Sequence, residues 1–165
     1  MTKPAFQLLG FASPLPRGRS AALTACRMQW GAFNAALRRA GLTQSIEWNK
    51  FAVTYKSDAG YWYFTGIPLP GEANGAPLPD GFERREIPAL RWQVYEHRGG
   101  LGSIFDTYAA IYRSGPAGSG PRCEGGPLLH LERYDRRFAW DSPESLLEIW
   151  VPDALQSFAQ HSPLW

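Results

Sequence analysis

Leu146-Leu147-Glu148-Ile149-Trp150-Val151-Pro152 is an apolar run interrupted by one carboxylate. Its aliphatic and aromatic content and its closing proline predict a strand. Strand side chains alternate between faces, so Leu147, Ile149 and Val151 share a core face, and Glu148 and Trp150 share the other. A carboxylate beside an indole suits an organic cation: one supplies charge, the other apolar area and a negative π-face. An earlier stretch, Phe64-Thr65-Gly66-Ile67-Pro68, ends in the same way. Aligning the two prolines sets Phe64 against Glu148 and Gly66 against Trp150. That repetition predicts an α+β chain of two related halves with a ligand groove between them.

Working outward, Phe6 to Phe11 reads as a strand. A helix follows from Ser20 or Thr24 to Ala40, with Cys26, Trp30, Phe33 and Leu37 on one core face. Gly41 stands at its C-cap. Trp48 to Tyr55 and Tyr61 to Ile67 read as a hairpin pair, and the Pro- and Gly-rich stretch 68–81 as a linker. The second half adds a leading strand, Phe82 to Ile87, before Leu90 to His97. A helix near Ser103 follows, with Ser103 and Asp106 as a capping-box variant. Its apolar face is Ile104, Tyr108, Ile111 and Tyr112. A Gly-rich loop at 115–127 precedes strands Leu128 to Tyr134 and Leu146 to Val151. Each half thus reads strand-helix-strand-strand, in a single domain: 4–68, 81–152, and a tail at 153–165 that Leu155 and Phe158 could dock.

Composition narrows the function classes. The 165 residues are 44% hydrophobic, enough for one domain with a real core, and include seven Trp, seven Tyr and nine Phe. The net charge is only +2, and the arginine pairs are scattered among acidic residues, so direct nucleic-acid binding is not expected. No run approaches a membrane span and no signal peptide is recognisable, so the expected place is the cytoplasm, without membrane contact. Two cysteines, Cys26 and Cys123, make no disulfide framework. His97, His130 and Cys123 match no zinc spacing. The Gly-rich segment lacks a P-loop ending, and no Gly-x-Ser-x-Gly elbow is present. No metal or cofactor is therefore expected.

An ordered set of motifs fills the second half: Gly81-Phe82-Glu83, Ile87-Pro88-Ala89, Val94-Tyr95-Glu96-His97-Arg98-Gly99-Gly100, Thr107-Tyr108 with Ile111-Tyr112, Leu131-Glu132-Arg133-Tyr134-Asp135 with Phe138, and Leu147 to Pro152. It resembles the effector-binding domain of AraC-type transcription activators, in the GyrI-like small-molecule-binding superfamily. The resemblance implies an antiparallel sheet, two helices and a central cleft for lipophilic, aromatic or cationic molecules. It implies Glu148 as the charge anchor and Trp62, Phe64, Trp92, Tyr108, Tyr112 and Trp150 as the lining. Alternation alone leaves open whether Trp62 and Phe64 or Tyr61, Tyr63 and Thr65 face the cleft; the proline alignment favours the former. The family usually begins one strand earlier than Phe6. No helix-turn-helix segment is recognisable, so a stand-alone sensor or sequestering protein, linked to transcription regulation or drug resistance, is expected.

Beside a detached effector domain that modulates a regulator, two alternatives come with the resemblance. One is a hydrolase of reactive aromatic natural products, using Glu148 with Tyr108 or Tyr112, or Glu96 as a second acid. The other is a gyrase-inhibitor-like module that binds a protein partner. Binding without catalysis is the favoured reading.

Overall fold

A computed structural model describes residues 1–42, 49–58, 60–69, 77–114, 122–123 and 126–153. Chain order is β1 (Thr2–Lys3), β2 (Phe6–Leu15), α1 (Arg19–Arg39), β3 (Lys50–Ser57), β4 (Gly60–Pro68), β5 (Glu83–Ile87), β6 (Leu90–Arg98), α2 (Ile104–Ser114), β7 (Arg122–Cys123), β8 (Gly126–Tyr134) and β9 (Leu146–Pro152). The strands form one antiparallel sheet in the order β1-β6-β9-β8-β3-β4-β2-β5, with β7 paired to β8.

That order is a duplication written in hydrogen bonds. β3-β4-β2 on one side of the centre mirrors β8-β9-β6 on the other, with β3 against β8 between them. Each half's leading strand crosses to the far edge of the other half. Lys3 pairs with Leu90, and Ile87 pairs with Phe6. Both leading strands turn through Pro-Ala, Pro4-Ala5 and Pro88-Ala89, and the spacing from Pro4 to Pro88 equals that from Pro68 to Pro152. The sequence reading gave the leading strand to the second half alone. Its counterpart in the first half is the two-residue β1, too short to carry a hydrophobic period.

Local chemistry sets the boundaries. α1 ends in a Schellman arrangement: Gly41, at φ +70°, donates to Arg38 O and Leu42 donates to Leu37 O. β2 runs through Pro14 because β5 covers only Phe6 to Gly10, leaving an edge where a missing N–H breaks no ladder. Ser103 does not build a capping box. Its hydroxyl donates to Gly100 O at 3.2 Å, within a 3-10 turn at Leu101–Ser103 that leads into α2.

Two cores result, one on each face. Both helices cover the first, where Trp30, Phe33 and Leu37 of α1 and Ile104 and Ile111 of α2 meet Leu147, Ile149 and Val151. Gln29, buried on α1, pins helix to sheet by donating to Phe11 O and Tyr63 O, both at 2.9 Å. The second face packs on itself: Phe51 and Trp92 meet Trp150 at 6.1 and 5.9 Å, beside Phe64, Leu8 and Ile87. The expected strand start at Trp48, most of the 68–81 linker, most of the 115–127 loop, and the tail with Leu155 and Phe158 lie outside the described residues.

Candidate functional site

The helix face of the sheet holds a cavity of about 630 Å³ between α1 and α2, within the range of small-molecule sites. Glu132 of β8 lies at its floor, 4% exposed. β8 carries His130, Glu132 and Tyr134 on this face, because β3 pairs Thr54 with His130 and Ala52 with Glu132. Three phenols converge on that one carboxylate. Tyr63 donates to Oε2 at 3.1 Å, Tyr134 donates to Oε2 at 2.5 Å, and Tyr108 donates to Oε1 in a short bond. Trp30 Nε1 donates to the Tyr63 hydroxyl at 2.9 Å. That occupies the phenol oxygen as an acceptor and leaves its own proton for Glu132.

Burial pushes the Glu132 carboxyl above the usual carboxylate range, against the hydrogen bonds from Tyr108, Tyr134 and Tyr63. Burial likewise raises the phenols of Tyr63, Tyr108 and Tyr134, with the Glu132 charge adding to it. They are therefore neutral donors at pH 7. Glu132 is thus held by neutral donors and forms no ion pair among the described residues; His97 exerts a favourable Coulombic pull on it.

The walls are aromatic and aliphatic. Tyr108 stacks on His130 at 4.3 Å, and the Tyr112 hydroxyl pairs with His130 Nδ1 at 2.7 Å. Burial drives His130 down to about 3, so its ring is neutral and adds no competing cation. Ala22, Leu23 and Cys26 of α1 face Ile104 and Phe105 of α2. Burial pushes the Cys26 thiol up to about 12, so it remains protonated. The exposed rim is Arg17, Gly18, Arg19, Lys56 and Tyr61.

Of the residues expected at the site, Tyr108 and Tyr112 line this cavity. The other five lie on the opposite face. The proline alignment correctly put Phe64 and Glu148 on a common face, but that face is the one turned away from the helices. Phe64, Trp92 and Trp150 are core there, and Trp62, on the same face, is 39% exposed. The alternative set provides the lining instead, with Tyr61 and Tyr63 in the cavity.

Glu148 and Trp150 do attract cations, but from within the chain. Glu148 takes Arg133 at 3.0 Å, Arg137 at 3.1 Å and the Trp150 indole N–H at 2.9 Å, while Lys3 Nζ stands 5.7 Å from the Trp150 ring. Burial raises the Glu148 carboxyl, but these partners outweigh it and hold it below its ordinary value. Glu96 pairs across from Glu148 on the same face and binds Arg98 at 3.1 Å. Neither acid meets Tyr108 or Tyr112, so the couple expected for hydrolysis is not assembled. Sequence reasoning does not single out Glu132, although the Leu131-Glu132-Arg133-Tyr134-Asp135 motif contains it. His130-Glu132-Tyr134 is a polar alternation of the kind that normally faces water, and its one signal was that it includes a tyrosine.

The chain belongs to the family described as Cass2, integron-associated effector binding protein, whose model matches residues 2–152. It is 32% identical over 79 residues to the transcriptional regulator BrlR of Pseudomonas aeruginosa. The match takes in 47% of this chain, which spans 28% of the regulator's length. Among solved structures it is similar to SAV2435 bound to tetraphenylphosphonium, with TM-score 0.62 and 15% identity over 98% of this chain and 97% of that one. It is also similar to VCH_CASS2, an integron cassette protein from the mobile metagenome of Vibrio cholerae, with TM-score 0.55 and 12% identity over 92% of each chain. These structural likenesses concern the fold. The GyrI-like resemblance read from the sequence holds.

Proposed function

From that family membership and the cavity's geometry, we propose that this protein binds lipophilic organic cations on the helix face of its sheet. Glu132 supplies the charge, and Tyr61, Tyr63, Tyr108 and Tyr112 supply the rings. The observation that carries this is a buried acid with neutral donors around it and, among the described residues, no ion-pair partner within 4 Å. Burying such a charge costs several kcal/mol unless something offsets it. A bound cation does so, and rings around it add about 0.5–2 kcal/mol each. SAV2435, similar in fold, is known bound to tetraphenylphosphonium, which supports the same ligand class here. The role is that of an effector-binding unit acting as a sensor or sequestering protein.

A pair of nearly isosteric ions tests the charge reading. Tetraphenylphosphonium and tetraphenylborate share shape and differ in sign. Isothermal titration is expected to show binding of the phosphonium and at least tenfold weaker binding of the borate. Equal affinity would reduce the site to a hydrophobic hollow and refute the role of Glu132.

A further inference from the structure

The cavity is electrically polarised along its depth. Its floor is the Glu132 carboxylate. Three cationic side chains, Arg17, Arg19 and Lys56, stand at its exposed rim. Arg19 is engaged, with Nη1 2.8 Å from Asp106 of α2. Among the described residues, Arg17 and Lys56 have no ion-pair partner. α1 starts at the same rim, with no acidic residue in its first turn and no side-chain cap, which adds to the positive field there. A site shaped only for a simple cation gains nothing from positive charges at its entrance; they repel the ligand on approach.

The register gives the separation of the two poles. Ala52 pairs directly with Glu132, and Ala52, Thr54 and Lys56 follow one another on the same face of β3. At about 3.3 Å per residue, Lys56 lies roughly 13 Å along the strand from the floor. That separation matches a ring system carrying opposite charges at its two ends.

We propose that the cavity selects zwitterions: lipophilic ring systems with a cationic centre for Glu132 and an acidic group for Arg17 and Lys56. This rests on the cation-binding reading and narrows its ligand class. The acidic group ion-pairs with the rim while the rings fill the tyrosine-walled middle. Because both poles contribute, such a ligand is distinguished from a plain cation of the same shape by the rim alone.

Rhodamine B and its ethyl ester test this. They share one cationic ring system, and only the former carries a free carboxylate at neutral pH. Fluorescence polarisation of each dye with the full chain is expected to show rhodamine B bound about fivefold tighter, the sum of two exposed ion pairs. The preference should shrink as salt is raised. The double variant Arg17→Gln/Lys56→Gln should abolish it, with ester binding strengthened as the rim's repulsion of a plain cation is removed. Both residues are exposed, so folding is not at stake. An ester bound as tightly as the acid, or a preference that survives the double variant, overturns the zwitterion proposal and leaves cation binding standing. Failure of both dyes removes the cation-binding reading as well, and the two failures are thereby told apart.

Discussion

Replacing Glu132 with Gln keeps the shape of the floor and removes its charge. The side chain is 4% exposed, so water screens it little. A phosphonium centre shielded by its phenyl rings cannot come much closer than about 6 Å. At an effective dielectric constant of about 20, two unit charges at that distance attract by roughly 3 kcal/mol. The glutamine amide dipole and the released burial cost of the carboxylate return part of this. A net loss of about 2 kcal/mol, or some thirtyfold in affinity, is therefore expected for tetraphenylphosphonium. Tetraphenylborate should not weaken, because the substitution removes a repulsion for it. Titration calorimetry of both ions against wild type and variant measures the four affinities, and near-UV circular dichroism confirms that the tyrosine cluster is intact. A variant that is well folded and loses less than threefold for the cation would refute the electrostatic reasoning. So would equal losses for both ions.

Other substitutions separate neighbouring effects. Glu148→Gln should leave phosphonium affinity unchanged, because Arg133 and Arg137 already hold that carboxylate on the far face, and should cost about 1 kcal/mol in denaturant unfolding. Gly10→Ala should cost about 3 kcal/mol or more, since the added Cβ would lie 1.8 Å from Thr65 O and 2.8 Å from Gly66 Cα, both backbone atoms. His130 and Glu132 should give opposite pH dependences of stability. His130, depressed to about 3, contributes stability that is full above 6.5 and falls by about 1.4 kcal/mol per pH unit below it, so Glu132→Gln, which leaves His130 alone, should lose stability steadily on acidification. Glu132, raised by burial, does the reverse: the folded state holds its proton more tightly, so stability falls as pH rises from 4.5 through its elevated value. Thermal melts of His130→Asn should accordingly be less sensitive to acid than wild type, and equal slopes in both variants would contradict the assignments.

Much of the fold was legible because it depends on periodicity. The four-three-four spacing of Cys26, Trp30, Phe33 and Leu37 could serve only a helix with one buried face, and all four lie in or against the helix-side core. Pro68 and Pro152 revealed the duplication because a proline at a strand end is a boundary whatever the neighbours are. β1 escaped notice for the converse reason: a two-residue strand has no period, and the edge of β6 determines it from outside. The capping box expected at Ser103 is not built, because Ser103 belongs to the 3-10 turn Leu101–Ser103 that leads into α2, and its hydroxyl turns back to Gly100 O.

The site was harder to read for a reason built into duplication. The two halves share a backbone pattern, so a face assignment made by aligning them is correct for both or wrong for both. Phe64 and Glu148 are indeed equivalent, and the alignment contains nothing that says which side of the sheet the helices cover. The proposed site lies where the symmetry breaks. At the centre of the sheet β3 and β8 face each other, and Glu132 at the cavity floor pairs with the buried Ala52. A second carboxylate at Ala52 would place two like charges side by side in a buried space, which raises the cost steeply. A methyl group there instead leaves room for a single acid, and Tyr63, Tyr108 and Tyr134 close around it from β4, α2 and β8. One buried acid in a twofold frame is off-balance by construction, and under the proposed function a ligand cation restores the balance. Ala52→Glu tests that logic directly. The variant should either lose several kcal/mol of stability or keep one of the two acids protonated near pH 7, seen as an added carboxylic-acid C=O band in the infrared difference spectrum against wild type. A stable variant with both acids ionised would show that the small residue opposite Glu132 is incidental.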